Sequence, residues 1–176
     1  MGKSKYYHYF VEGADEEKIV NLLKTDMQLI QPGKVHVFNA IEQKFTRPRF
    51  MSMKAGTTVV LVFDTDTQKI STLLDNIKFL KTIKSIVDVL CITQVQNLED
   101  ELKRSCNITH IKELTGSSSN SDFKRDLLKA SNLDDKLTKF GFNFDKFWVT
   151  NDTRTFKEIR NEAYKIKLKE KKKLKK

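Results

Sequence analysis

A chain of 176 residues, 39% of them hydrophobic and with a net charge of +10, can bury about two thirds of its unfolded surface in one domain and needs no staples. Its two cysteines, Cys91 and Cys106, lack CxxC spacing, so neither a zinc site nor a disulfide framework is suggested. No run approaches the roughly 20 apolar residues of a membrane span. Lys3 and Lys5 are followed by aromatics and then Glu12 instead of a leader pattern, so a cytoplasmic protein without a membrane partner is expected. Eight of the last twelve residues, 165–176, are lysines. Such a tail is a solvated charge run or a non-specific phosphate tracker, and by itself decides nothing about function.

In chain order, the aromatic and β-branched run 6–11 predicts a strand closed by Glu12-Gly13. An acidic cluster and apolar Ile19, Val20, Leu22, Leu23 and Met27 predict an amphipathic helix after it. Residues 35–38 suit a short strand after Pro32-Gly33, and 45–53 is a basic, aromatic loop or edge strand. The continuous apolar run 58–63 reads as a strand buried on both faces. It ends at Asp64-Thr65-Asp66, after which Ile70, Leu73, Leu74, Ile77 and Leu80 recur at helical spacing. The run 86–92 repeats the pattern and leads to a helix starting at Asn97, with Leu98 and Leu102 facing inward. A serine-rich loop (116–121), a helix over 122–130, a turn or helix over 133–140, the aromatic patch 142–148 and a final helix over 153–167 complete the chain. This alternation predicts an α/β fold, a mostly parallel central sheet flanked by helices. Residues 1–150 form the domain, and 151–176 a C-terminal helix with the lysine-rich tail.

In a parallel sheet, ligands sit outside the carboxyl ends of the strands. Glu12 and Asp64 each follow an apolar strand directly, so both emerge at that edge, with Asp66 two residues beyond. Converging carboxylates repel unless a divalent cation neutralises them, and hard oxygen ligands suit Mg2+ or Mn2+. Turn or helix-capping aspartates are the plain alternative. Glu99-Asp100-Glu101 opens the third predicted helix at the same edge. The helix dipole alone favours acids there, yet Glu99 and Asp100 are candidates for further metal ligands. Arg47, Arg49 and Lys54, interleaved with Phe45 and Phe50, combine charge and ring faces as single-stranded nucleic-acid surfaces do; core aromatics would read the same way. His8, His36 and His110 have neither HxH nor HxxxH spacing, leaving a zinc hydrolase or a catalytic triad without footing.

Phe10-Val11-Glu12-Gly13, followed by Asp64-Thr65-Asp66 at the end of an apolar strand, resembles the TOPRIM domain of topoisomerases, primases and small nucleases. Asn97-Leu98-Glu99-Asp100 looks like the third acidic motif of its nuclease branch, which includes the Overcoming Lysogenization Defect nucleases, RloB-like proteins and the ribonuclease that matures 5S rRNA. The resemblance covers about residues 6–130. It implies that Glu12 is a metal ligand or general acid/base and that Asp64 and Asp66 hold magnesium. Some members place a lysine near the metals, and Lys124 in Ser121-Asp122-Phe123-Lys124 is the candidate here, a solvated lysine being its plain reading. The chain has no topoisomerase tyrosine domain and no primase module, which favours the nuclease branch. The resulting expectation is a magnesium-dependent endonuclease of DNA or RNA, with phage defence a compatible setting. The alternative is a catalytically silent TOPRIM-like module that binds nucleic acid or a partner ATPase. A homo-oligomer is compatible with either.

Overall fold

All four strands expected from the apolar runs form in the computed structural model, which describes residues 4–168. β1 (Tyr6–Val11) is followed by helix α1 (Ala14–Asn21), which continues into a π-helical turn at Leu22–Asp26, and then by β2 (Lys34–Val37). β3 (Thr57–Asp64), α2 (Ser71–Leu80), β4 (Ile86–Gln94) and α3 (Leu98–Ser105) come next, and the short helices α4 (Lys112–Thr115), α5 (Phe123–Lys129) and α6 (Leu133–Lys139) follow. The strands make one all-parallel sheet in the order β2-β1-β3-β4. Among the described residues, no helix is long and apolar enough to cross a membrane.

β3 is buried along all eight residues, because helices or loops cover both faces of the sheet. Strand alternation sorts its side chains into two cores. Val60 and Val62 join Leu90 and Ile92 under α1, α3 and α5, packing with Ile19, Leu23, Leu102, Phe123 and Leu127. Val59, Leu61 and Phe63 face the other way, onto Phe10, Phe45, Phe50, Leu73 and Leu80. The stretch 45–53 belongs to this second layer as a loop containing a 3-10 turn, Arg47–Phe50. Phe45 and Phe50 are only 6% and 2% exposed, so they are core residues and offer no stacking faces to nucleic acid.

The helix expected over 153–167 does not form; turns and a single 3-10 turn, Ala163–Lys165, take its place. Phe156, Ile159, Ala163 and Ile166 have helical spacing, but they serve two different layers. Phe156 and Ile159 enter the core with Phe63, whereas Ala163 and Ile166 enter the core with Trp148. To reach both, the segment crosses the outer edge of β4. There the Glu162 N–H donates to the Cys91 carbonyl at 2.8 Å, and Asn161 Nδ2 donates to the Thr93 carbonyl at 3.1 Å. An edge strand is thereby covered. Of the lysine-rich tail, residues 169–176 lie outside the described residues. Because Phe156 is fully buried, Phe156→Ala is expected to cost about 3–5 kcal/mol of unfolding free energy in urea. A loss below about 1 kcal/mol would show that this segment does not close the core.

Candidate metal centre

The carboxyl ends of β1, β3 and β4 meet where the sequence changes from apolar to acidic. Glu12 Oε1 accepts the backbone N–H of Asp64 at 3.3 Å, which joins the two strand-end acids in one site. Asp64 is 8% exposed, and its Oδ1 is buried without a hydrogen-bond partner. The turn beyond it is pinned to the loop after β4. Thr65 N–H donates to the carbonyls of Gln94 and Gln96, both at 3.1 Å, and Gln96 N–H returns a bond to Thr65 Oγ1 at 3.0 Å. Asp66 stands exposed on this pinned turn.

Helices α1, α3 and α5 bring the remaining charges. A Cβ at Gly13 would stand 2.9 Å from Asp15 Oδ1 and 3.1 Å from Glu16 Oε2. Glycine therefore lets the first-turn acids of α1 fold back against the end of β1. Asn97 caps α3, its side-chain oxygen accepting the Asp100 N–H at 3.0 Å. This cap sets the phase of three consecutive acids, and each has a different fate. Glu99 turns toward Lys124, with Oε1 3.5 Å from the ammonium, while its Oε2 is buried and unpartnered. Asp100 pairs with Lys103 at 2.6 Å, and lines a shallow cleft with Asn97, Glu99 and His110. Glu101, fully buried, accepts the N–H groups of Val95 at 3.2 Å and Trp148 at 3.1 Å and pairs with Arg104 at 2.8 Å. Glu101 is a structural pin that holds the aromatic patch against α3.

Lys124, on α5, reaches Asp15 Oδ2 at 3.1 Å as well as Glu99. Burial works against its charge, but Asp15 and Glu99 hold the ammonium above the ordinary lysine range. The carboxylates show the reverse strain. Burial, then the charges of Glu12, Glu16, Asp66 and Glu99, push Asp64 up to about 9. Burial likewise raises Glu12 to about 7 against the opposing Asp64 N–H, with Asp66 adding to the rise. Glu16 is raised to about 8 by burial and by Asp15.

Such a set of hard oxygen donors, with buried unpartnered oxygens on Asp64 and Glu99, is chemically suited to a hydrated divalent cation. Among the described residues, however, no three His, Cys, Asp or Glu side chains stand close enough together to hold a metal ion between them.

The cations expected to track nucleic acid divide. Arg47 and Arg49 lie in the 3-10 turn Arg47–Phe50, and the Arg49 guanidinium sits 4.6 Å from the centre of the Phe38 ring, just beyond the carboxyl end of β2. Lys54 instead lies 5.1 Å above Tyr6, at the amino end of β1. In the serine-rich loop, Ser119 Oγ is 2.8 Å from Ser121 Oγ and 2.6 Å from Asp122 Oδ2, so these hydroxyls are engaged within the chain.

Three residues at the site were not singled out from the sequence. Asp15 and Glu16 read only as acids in a helical first turn. Arg154 carried no signal at all, because it comes from the far end of the chain. Its Nη2 donates to the Thr65 carbonyl at 3.5 Å, and Asp152, buried and accepting the Arg154 and Phe156 N–H groups, anchors its turn. No protein-family model, curated protein or solved structure matches the chain.

The raised carboxylates make metal-free stability fall with pH. A carboxyl whose folded pKa lies above its unfolded value contributes stability below the unfolded value, near 4, and loses it as pH rises through the folded value. For Glu12, Glu16 and Asp64 that window runs from about pH 4 to about pH 9. In EDTA, the melting temperature should therefore decline from pH 5 to pH 9. Asp64→Asn should flatten the decline and raise the melting temperature at pH 8, by about 2–4 °C for each kcal/mol of repulsion relieved. A pH-independent melt, or a less stable Asp64→Asn protein at pH 8, would contradict this electrostatic account.

Proposed function

We propose that the chain is a magnesium-dependent nuclease of the TOPRIM type that cleaves phosphodiester bonds of DNA or RNA. The observation that carries this reading is the Glu12–Asp64 hydrogen bond, which makes two strand-end motifs one site. The all-parallel sheet and the buried, unpartnered Asp64 Oδ1 support it. Glu12, Asp64 and Asp66 would hold the ion, with Glu99 adding a further carboxylate. Bound there, magnesium supplies Lewis-acid activation of water and charge stabilisation at the leaving oxygen.

The remaining chemistry belongs to the chain. Glu12, which accepts the Asp64 N–H, would serve either as a ligand to the ion or as the base that takes a proton from the attacking water. Lys124, held between Asp15 and Glu99 and with its side chain 54% exposed, offers a fixed cation to charge developing on the phosphate. Arg154 supplies a second cation beside Thr65, where a guanidinium can take a phosphate oxygen pair.

A second reading, a catalytically silent module that binds nucleic acid or a partner ATPase, draws on one observation: among the described residues no three metal-ligating side chains are gathered in a closed group. Labelled single- and double-stranded DNA and RNA, incubated with magnesium, manganese or EDTA, separate the two. The nuclease reading expects metal-dependent cleavage that Glu12→Gln and Asp64→Asn/Asp66→Asn abolish without loss of folding by circular dichroism. Nucleic-acid binding without cleavage in either metal would establish the silent module. Lys124→Ala is expected to lower kcat by about 10²–10³ with little change in KM, the usual cost of one transition-state donor. Unchanged kcat would reduce Lys124 to a structural counter-ion.

A further inference from the structure

At the amino ends of the strands, on the edge of the sheet opposite the carboxylates, a cleft of about 260 Å³ is lined by Lys5, Lys34 and Lys54 together with Tyr6, His8 and Ser52. The lysines arrive on three separate segments: just ahead of β1, at the first position of β2, and in the loop before β3. Strand register makes them converge. His8 pairs with Lys34 across β1 and β2, Tyr6 pairs with Thr57 across β1 and β3, and the Lys5 N–H donates to the Gly56 carbonyl at 2.9 Å.

These charges have no acid to answer them. Among the described residues, no carboxylate oxygen lies within 4.0 Å of any of the three ammonium groups. His8, which lines the cleft, meets His36 of β2. His8 Nδ1 lies 3.0 Å from His36 Nε2, and the two rings stack at 5.2 Å. Burial first, then His36 and Lys34, hold His8 down at about 4. His36 is lowered by burial and then by Arg49 and Lys34, with Glu17 acting in the opposite sense. Both rings are therefore neutral at pH 7, and the uncompensated positive charge belongs to the lysines.

We propose that this cleft binds a phosphomonoester, carried either on the 5′ end of a nucleic acid or on a nucleoside monophosphate. A phosphomonoester carries about −1.5 to −2 charges at neutral pH, which suits three lysines lining one small cleft. A phosphodiester backbone has one charge per nucleotide and is tracked by cations spread along a groove. The cleft is smaller than the roughly 300–1,000 Å³ of a pocket for a drug-sized ligand, and so suits a compact anion. Tyr6, 39% exposed with Lys54 above its ring, gives the phosphate site an aromatic wall against which a sugar or base can lie. The assignment does not depend on the metal centre.

The test compares single-stranded oligonucleotides with a 5′-phosphate or a 5′-hydroxyl, labelled at the 3′ end, by fluorescence anisotropy in EDTA. The full-length protein is expected to bind the phosphorylated strand at least about tenfold more tightly. Lys34→Ala/Lys54→Ala should abolish that preference, whereas Asp64→Asn should leave it unchanged. Competition by adenosine 5′-monophosphate and inorganic phosphate would show that the free phosphomonoester suffices. Competition only by unlabelled phosphorylated strand would identify the nucleic-acid end as the ligand. Equal affinity for the two strands, or a preference that survives the lysine substitutions, overturns the proposal. A preference lost in Asp64→Asn would place the phosphate at the carboxylate edge and overturn it equally.

Discussion

Parallel pairing of β3 with β1 on one side and β4 on the other governs the rest of the molecule. Tyr6–Phe10 align with Thr57–Leu61, and on the other side the ladder runs from Val59 opposite Val89 until Asp64 stands opposite Gln94. Strands that run the same way end at the same edge. The first charged residue after each apolar run therefore falls at that edge, where Glu12 and Asp64 meet. The same constraint gathers the residues that precede the strands at the opposite edge, where Lys5, Lys34 and Lys54 share one cleft. The sheet thus separates an acidic edge from a basic one.

The acidic edge works against folding. Asp64 is buried beside four other carboxylates that raise its pKa, and its Oδ1 is left without a partner. Lys124 relieves part of this repulsion through Asp15 and Glu99 and does not contact Asp64 within ion-pair distance. Glu101, one residue beyond Asp100, shows what a buried acid looks like when its role is structural: both oxygens are used, by Val95, Trp148 and Arg104. Glu101 is saturated, whereas Asp64 and Glu99 each keep a buried oxygen without a partner, a difference that burial alone does not show.

Closure of the sheet falls to the end of the chain. Residues 156–166 run across the outer edge of β4 and contribute Phe156 to one core and Ile166 to the other. The same segment brings Arg154 beside Thr65, so edge protection and a cation at the acidic site come from one stretch of chain. Helical spacing of Phe156, Ile159, Ala163 and Ile166 could not distinguish a single amphipathic helix from a strap serving two layers, because periodicity records which residues are buried but not what buries them.

The amino-acid sequence by itself determined the strands, the parallel α/β class and the edge at which Glu12, Asp64 and Asp66 emerge, because continuous apolar runs alternating with amphipathic helices admit few other arrangements. Local pattern also marked the capped start of α3 at Asn97. Only the tertiary structure decided which acid of Glu99-Asp100-Glu101 joins the site, since one cap sets three side chains on different faces of a single turn. It alone withdrew Phe45 and Phe50 into the core, brought Lys124 onto Asp15 and Arg154 onto Thr65, and gathered three lysines at the far rim. Those outcomes depend on contacts between residues far apart in the chain, and no spacing within a segment encodes them.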